Sequence, residues 1–356
     1  MFLRNIKLFA CLFVYSVFLP AVSATGLPQA QSTEESRPKP STAVEQILQQ
    51  AQALAEVKKP LESLAAANKA REAADRADDT AGEALSQQAR ATALRDLQRS
   101  DEASKAWRDA AQIWAKIGDT PGQINALVQA GLLAPPNQGE EADKLYAQGL
   151  ALEKSETQHP ASVAQALHDS GVALQSQGHL ETAWDYLSAA VPLWEKQAPE
   201  SLKLVNTLIV LSGVTMNRAV QNAGAKYYYL GRDYSSRAAE MCHRVAPDTL
   251  NEVQSLHMLG RAEYLLEDFT HGREHFLAAL QIEKKIEPTG SMEEAGVLRE
   301  LGVLENVQSN FALAHKYFEE AVALGERLAP TSPDFERCVE NLANVENDEG
   351  DLATVG

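Results

Sequence analysis

Between Pro247 and Pro330 one stretch of sequence is written twice. A shift of 42 positions carries Leu256 onto Leu298, Leu259-Gly260 onto Leu301-Gly302, Phe269 onto Phe311, Phe276 onto Phe318, Ala279 onto Ala321 and Pro288 onto Pro330. A unit of this length cannot shelter its apolar side alone and must lean on its neighbours, so the spacing predicts a solenoid. Within each copy the apolar residues fall at helical spacings, as in Leu298, Leu301, Leu304 and then Phe311, Phe318, Ala321, which gives two helices per copy. Gly260 and Gly302 fall inside the first helix, where glycine costs about 1 kcal/mol relative to alanine. The expected compensation is close helix approach, with Phe276 and Phe318 packed over the missing side chains. The prolines then end the second helix and turn the chain into the next copy.

The Leu-Gly pair, the small residue twelve positions later (Gly272, Ala314), the aromatic four further on (Phe276, Phe318) and the alanine after it resemble the tetratricopeptide repeat. The form resembled is the 42-residue type of kinesin light chains, which is similar to the repeat region of bacterial proteins carrying a caspase-like CHAT domain. The resemblance implies an all-α, right-handed solenoid of stacked antiparallel helix hairpins that binds a peptide or partner domain in its concave groove.

The same frame can be carried through the chain. Ala103, Ala142 and Ala183 repeat the small-residue marker, and hairpins are expected to start near residues 43, 80, 119, 160, 200, 248 and 289. A half repeat over 331–356 follows, with Gly350-Asp351-Leu352 read as the turn into a last helix. Its uncovered end would be a seam for end-to-end self-association. The first hairpin, with helices near 43–58 and 61–77, is alanine-rich, and Thr42 with Glu45 reads as a capping box for its first helix. The hairpin after Pro199 carries about six extra residues around Met216–Tyr229, read as a break at Asn222–Lys226 followed by three tyrosines.

Ahead of the repeats, Arg4 and Lys7, an apolar run from Leu8 to Leu19, and Val22-Ser23-Ala24 read as a signal peptide over residues 1–24. The run is too short to span a bilayer. A polar lead over 25–41 follows, poor in large apolar residues and expected to be disordered. Export to the periplasm or the outside is the expectation, with no membrane span in the mature chain. Cleavage takes two basic residues and no acidic ones from a formal net charge of -17, leaving -19. Such a surface repels nucleic acid and anionic lipid.

Catalytic patterns are absent from the sequence: no glycine-rich phosphate loop, nucleophile elbow or paired-carboxylate motif is found. His271 and His275 stand at i and i+4 with no evident third ligand, and Cys242-His243 are adjacent, so their side chains point about 100° apart on a helix. A non-catalytic binding protein with no cofactor and no metal is therefore expected. Cys242 and Cys338 lie too far apart along a stack to bridge.

The resemblance assigns groove contacts to fixed positions around the helix-A glycine. In this sequence those include His168 and Gln175, then Arg218, then His257, Arg261 and Tyr264, then Arg299 and Asn306. Three arginines thus fall on consecutive strips of a strongly acidic protein, and guanidinium forks suit carboxylates. An acidic peptide or a C-terminal carboxylate, held by Arg261 and Arg299 with Arg218 nearby, is one expectation. Pairing of these arginines with Glu263, Glu300 or Glu305 is the other.

Overall fold

The computed structural model describes residues 38–135, 138–155, 159–224 and 226–355. The signal segment and most of the polar lead lie outside the described residues. Those described form fifteen α-helices and no strand. Packing divides the chain into an N-terminal unit ending at Gln197 and a C-terminal unit beginning at Ala198.

The N-terminal unit holds four helix pairs: α1 (Thr42–Glu56) with α2 (Pro60–Arg76), α3 (Thr80–Asp96) with α4 (Ser100–Ile117), α5 (Thr120–Leu132) with α6 (Gly139–Ala151), and α7 (Pro160–Ser176) with α8 (Leu180–Gln197). The C-terminal unit holds three pairs and one further helix. These are α9 (Leu202–Arg218) with α10 (Lys226–Val245), α11 (Leu250–Leu265) with α12 (Phe269–Ile286), α13 (Met292–Val307) with α14 (Phe311–Leu328), and α15 (Pro333–Val355). In each unit the two helices of a pair pack on each other, and successive first helices also touch, α5 on α7 and α9 on α11 on α13 on α15. Each unit is therefore a stack of helix pairs.

Short turns between helices need a left-handed residue at the helix end, and the chain supplies one repeatedly. Lys58, Asp78, Gln98, Glu267 and Ser309 adopt positive φ, as do Gly118 and Gly178. In every case the next N–H reaches back to a carbonyl five residues earlier, as from Asp268 to Glu263 and from Asn310 to Glu305, both at 2.9 Å. This satisfies the carbonyls that the helix end would leave open.

The glycine–aromatic layers are present as the repeat predicted. A Cβ built on Gly260 would lie 2.8 Å from Phe276 Cδ1, and one on Gly302 only 2.5 Å from Phe318 Cε1. Both rings are fully buried and occupy equivalent places over successive hairpins. Tyr146 over Gly131 and Leu187 over Gly171 fill the same role in the N-terminal unit. The alanine-rich first hairpin packs as well, Val44 against Ala70 and Ala74, and Ala51 against Ala66 and Ala67.

Three local readings change. The expected capping box does not form: Thr42 opens α1 with Ser41 at the cap position and no side-chain cap. The Ser41 N–H instead donates to Asp79 Oδ2 at 2.6 Å, while Asp79 Oδ1 caps α3 through the Gly82 N–H at 2.7 Å. One carboxylate thus serves two helix starts, which a local pattern cannot reveal. The turn expected at Gly350 is also missing, since α15 continues to Val355. A single glycine in a helix costs only about 1 kcal/mol, too little to end it unaided. Lastly, the break after α9 is a single π-helical turn over Ala219–Ala223, closed by Gly224 at φ 79°, and the three tyrosines form the first turn of α10.

Candidate functional site

The first helices of the C-terminal pairs present their polar residues on one row. Asn217 and Arg218 come from α9, His257, Arg261 and Tyr264 from α11, and Arg299, Glu300 and Asn306 from α13. The row is nearly closed to solvent: Arg218, Arg261 and Arg299 are 9%, 5% and 1% exposed. His168 and Gln175 sit on α7 in the other unit, both buried. Burial pushes the His168 imidazole below its ordinary range, so it is neutral near pH 7.

Arg299 donates through Nη2 to Glu300 Oε1 at 2.8 Å. Burial alone would raise the Glu300 carboxyl, yet the guanidiniums of Arg299 and Arg261, with His257, override that cost and hold it below the usual carboxylate range. The row is thus a cationic field strong enough to keep a fully enclosed carboxylate ionised. His257 Nδ1 lies 3.0 Å from Glu293 Oε1, and its Nε2 has no hydrogen-bond partner among the described residues. Tyr264 is pushed up to about 12 by burial, with Glu300 adding to the shift, so it is a neutral hydroxyl at any working pH.

The extra turn after α9 brings aromatic rings to this row. The Arg218 guanidinium lies 4.9 Å from the Tyr227 ring centroid, within cation–π range. The Tyr228 hydroxyl is raised by burial, with the charge of Arg261 acting in the opposite sense. Tyr229 turns away and is half exposed, with Arg232 5.5 Å from its ring centroid. The three tyrosines were legible as an insertion, but nothing in the sequence said which arginine each would meet.

Of the carboxylates that could compete for the arginines, Glu300 pairs with Arg299. Glu263 accepts from His275 Nδ1 at 2.7 Å. Glu305, fully buried, accepts both Nε and Nη2 of Arg273 at 2.7 and 2.8 Å, a bidentate fork between α12 and α13. That arginine lay outside the groove positions, and only the tertiary structure assigns it.

His271 and His275 turn to separate carboxylates, Asp268 at 2.8 Å and Glu263 at 2.7 Å, and among the described residues no cluster of three or more metal-ligating side chains forms. Cys242 and Cys338 are free and buried. Burial pushes the Cys242 thiol up to about 11, so it is no thiolate near neutral pH, and His243 bonds to Glu252 at 2.7 Å. No helix among the described residues is long and apolar enough to cross a membrane.

No protein-family model matches the chain, and no curated protein matches it. Solved structures similar to it include the apo form of RapI, at 12% identity over 84% of this chain and 80% of that one, with a TM-score of 0.56. BtubC (BKLC) from P. vanneervenii matches at 15% identity over 77% and 94%, TM-score 0.48. A Podosopora anserina putative kinesin light chain with TPR-like repeats matches at 16% over 55% and 90%, TM-score 0.46. With the glycine–aromatic layers, the likeness to RapI makes this a tetratricopeptide-repeat protein by fold, an all-α solenoid. At such identities it is the fold alone that is shared.

Proposed function

We propose that the protein is a non-catalytic docking scaffold whose first-helix row in the C-terminal unit receives an extended peptide through an acidic side chain or a free C-terminal carboxylate. The observation that carries this reading is Glu300, a carboxylate enclosed in the row with the Arg299 guanidinium 2.8 Å away, and Arg299, Arg261 and His257 hold it below the usual carboxylate range. A ligand carboxylate entering beside it meets the same field. Arg261 and Arg218 are the less enclosed guanidiniums of the row, with Tyr227 beside Arg218, and a ligand carboxylate there competes with the contacts they already make, while Arg299 is reached only where the ligand displaces Glu300. His257, Tyr264 and Asn306 supply further polar contacts, and His168 and Gln175 are separate groove positions on α7 of the N-terminal unit. The leader over residues 1–24 assigns this role to the periplasm or the outside of the cell.

Binding of an acidic peptide pool to the wild type and to Arg261→Ala, with a thermal melt to check folding, tests the reading. Retention by the wild type and loss from a folded Arg261→Ala is expected, and equal retention by both would end it. A second reading, in which the chain is the sensing arm of a CHAT-type protease acting elsewhere, rests on the Leu-Gly and aromatic spacing of the repeats. Co-purification with a protein carrying a CHAT-like histidine and cysteine would support it.

A further inference from the structure

A second surface lies on the same unit and involves none of the three row arginines. Helices α10, α11 and α12 enclose an open groove of about 940 Å³. From α11 it takes Glu252, Leu256, Leu259 and Glu263, a line at least about 80° round the helix from the row of His257, Arg261 and Tyr264. Its floor is apolar, made of Leu256 and Leu259 with Ala239, Ala278 and Ile282. Its walls are acidic: Asp233 and Glu240 on α10, Glu252 and Glu263 on α11, and Asp248 and Asp268 in the connections.

Among the described residues that line the groove, two fixed cations oppose these six carboxylates. Arg232 lies 3.6 Å from Asp233, and Lys285 is paired with Asp248. The groove's fixed groups therefore carry four net negative charges, and two once His271 and His275 are protonated. Each histidine turns Nδ1 to a wall carboxylate: His243 to Glu252, His271 to Asp268 and His275 to Glu263, at 2.7 to 2.8 Å. His271 also feels Glu263 and Glu274, and His275 feels His271.

We propose that this groove docks a basic segment of a partner protein, lysines or arginines flanking one or two apolar side chains, and releases it as His271 and His275 protonate. Apolar side chains fit the floor and ammonium or guanidinium groups meet the walls, a complementarity that the acidic peptide of the first-helix row would lack. Hydrogen bonds to Asp268 and Glu263 hold His271 and His275 above the usual histidine range, so the groove begins to lose negative charge in mildly acidic solution.

The test is fluorescence anisotropy of a labelled peptide of lysine, arginine and leucine with the full chain. At about pH 8, above the ordinary histidine range, the peptide binds. Asp233→Asn/Glu240→Gln, both at exposed positions, weakens it about fivefold, the factor of one exposed charge pair at the upper end of its usual worth. Lowering the pH to about 5.5 weakens it by a similar factor, and His271→Gln/His275→Gln removes most of that drop. Unchanged affinity in Asp233→Asn/Glu240→Gln would overturn the proposal. An equal loss from Glu336→Gln/Glu340→Gln on α15 would do the same, since it would mean bulk attraction to an acidic protein. So would loss from Arg261→Ala, because the peptide would then sit on the first-helix row; that row's own test uses acidic peptides and stands or falls separately.

Discussion

Two glycines on α13 make the packing of the repeat quantitative. Replacing Gly302 by alanine sets a Cβ 2.5, 2.7 and 2.8 Å from three carbons of the Phe318 ring. Ordinary carbon contacts lie near 3.5 Å, so the ring has to retreat by about 1 Å. Phe318 is 1% exposed and enclosed by the hairpin, and forcing extra volume into so close a contact costs about 1–3 kcal/mol. Alanine returns about 1 kcal/mol in helix propensity. The net is a loss of about 1 kcal/mol, or about 2–4 °C in the melting midpoint of a unit this size. Gly296 sits on the same helix, and there the nearest atom to an added Cβ is His257 Cε1 at 3.7 Å, an ordinary contact. Gly296→Ala therefore keeps the propensity gain and raises the midpoint by a similar amount. Thermal melts followed by circular dichroism compare the two, and the Gly302→Ala/Phe318→Leu double variant recovers part of the loss by making room for the methyl. A Gly302→Ala protein more stable than wild type would refute the argument that the glycine exists to admit the ring.

Arg299→Ala strands a buried Glu300 and is expected to cost about 3–5 kcal/mol, whereas Arg299→Met/Glu300→Gln, which removes the charges together, costs much less; urea titrations of the three proteins measure the difference. Glu283 is buried with Ser291 bonded to Oε1, and its carboxyl is raised, first by burial and then by Glu293, Glu294 and Glu287. A folded-state value above the unfolded one gives stability that is present at low pH and lost as pH rises through the raised value. Glu283→Gln should therefore melt higher than wild type at neutral pH, with the gap closing toward about pH 4. A gap that widens on acidification would contradict this.

Local pattern carried much of this molecule, because each repeat interacts mostly with its neighbours. Once the 42-residue shift aligned Gly302 with Gly260 and Phe318 with Phe276, the close approach of ring to glycine followed from sterics alone. Turn positions such as Glu267 and Ser309 aligned for the same reason. Where an outcome depended on a distant partner, the sequence was silent. Ser41 looks to Asp79 across a whole hairpin, and the groove between α10 and α12 is assembled from residues more than fifty positions apart. The histidine pair at 271 and 275 was visible as a spacing, yet only the folded structure decided that each would turn to a separate carboxylate, Asp268 and Glu263.

By itself, then, the chain's order of glycine, aromatic and proline determined helix pairs stacked on one another, since an apolar stripe on a short helix has nowhere else to go. Tertiary structure alone decided which carboxylate each arginine meets. Long charged side chains reach several ångströms beyond their own helix, and which of them are enclosed together depends on how neighbouring helices stack.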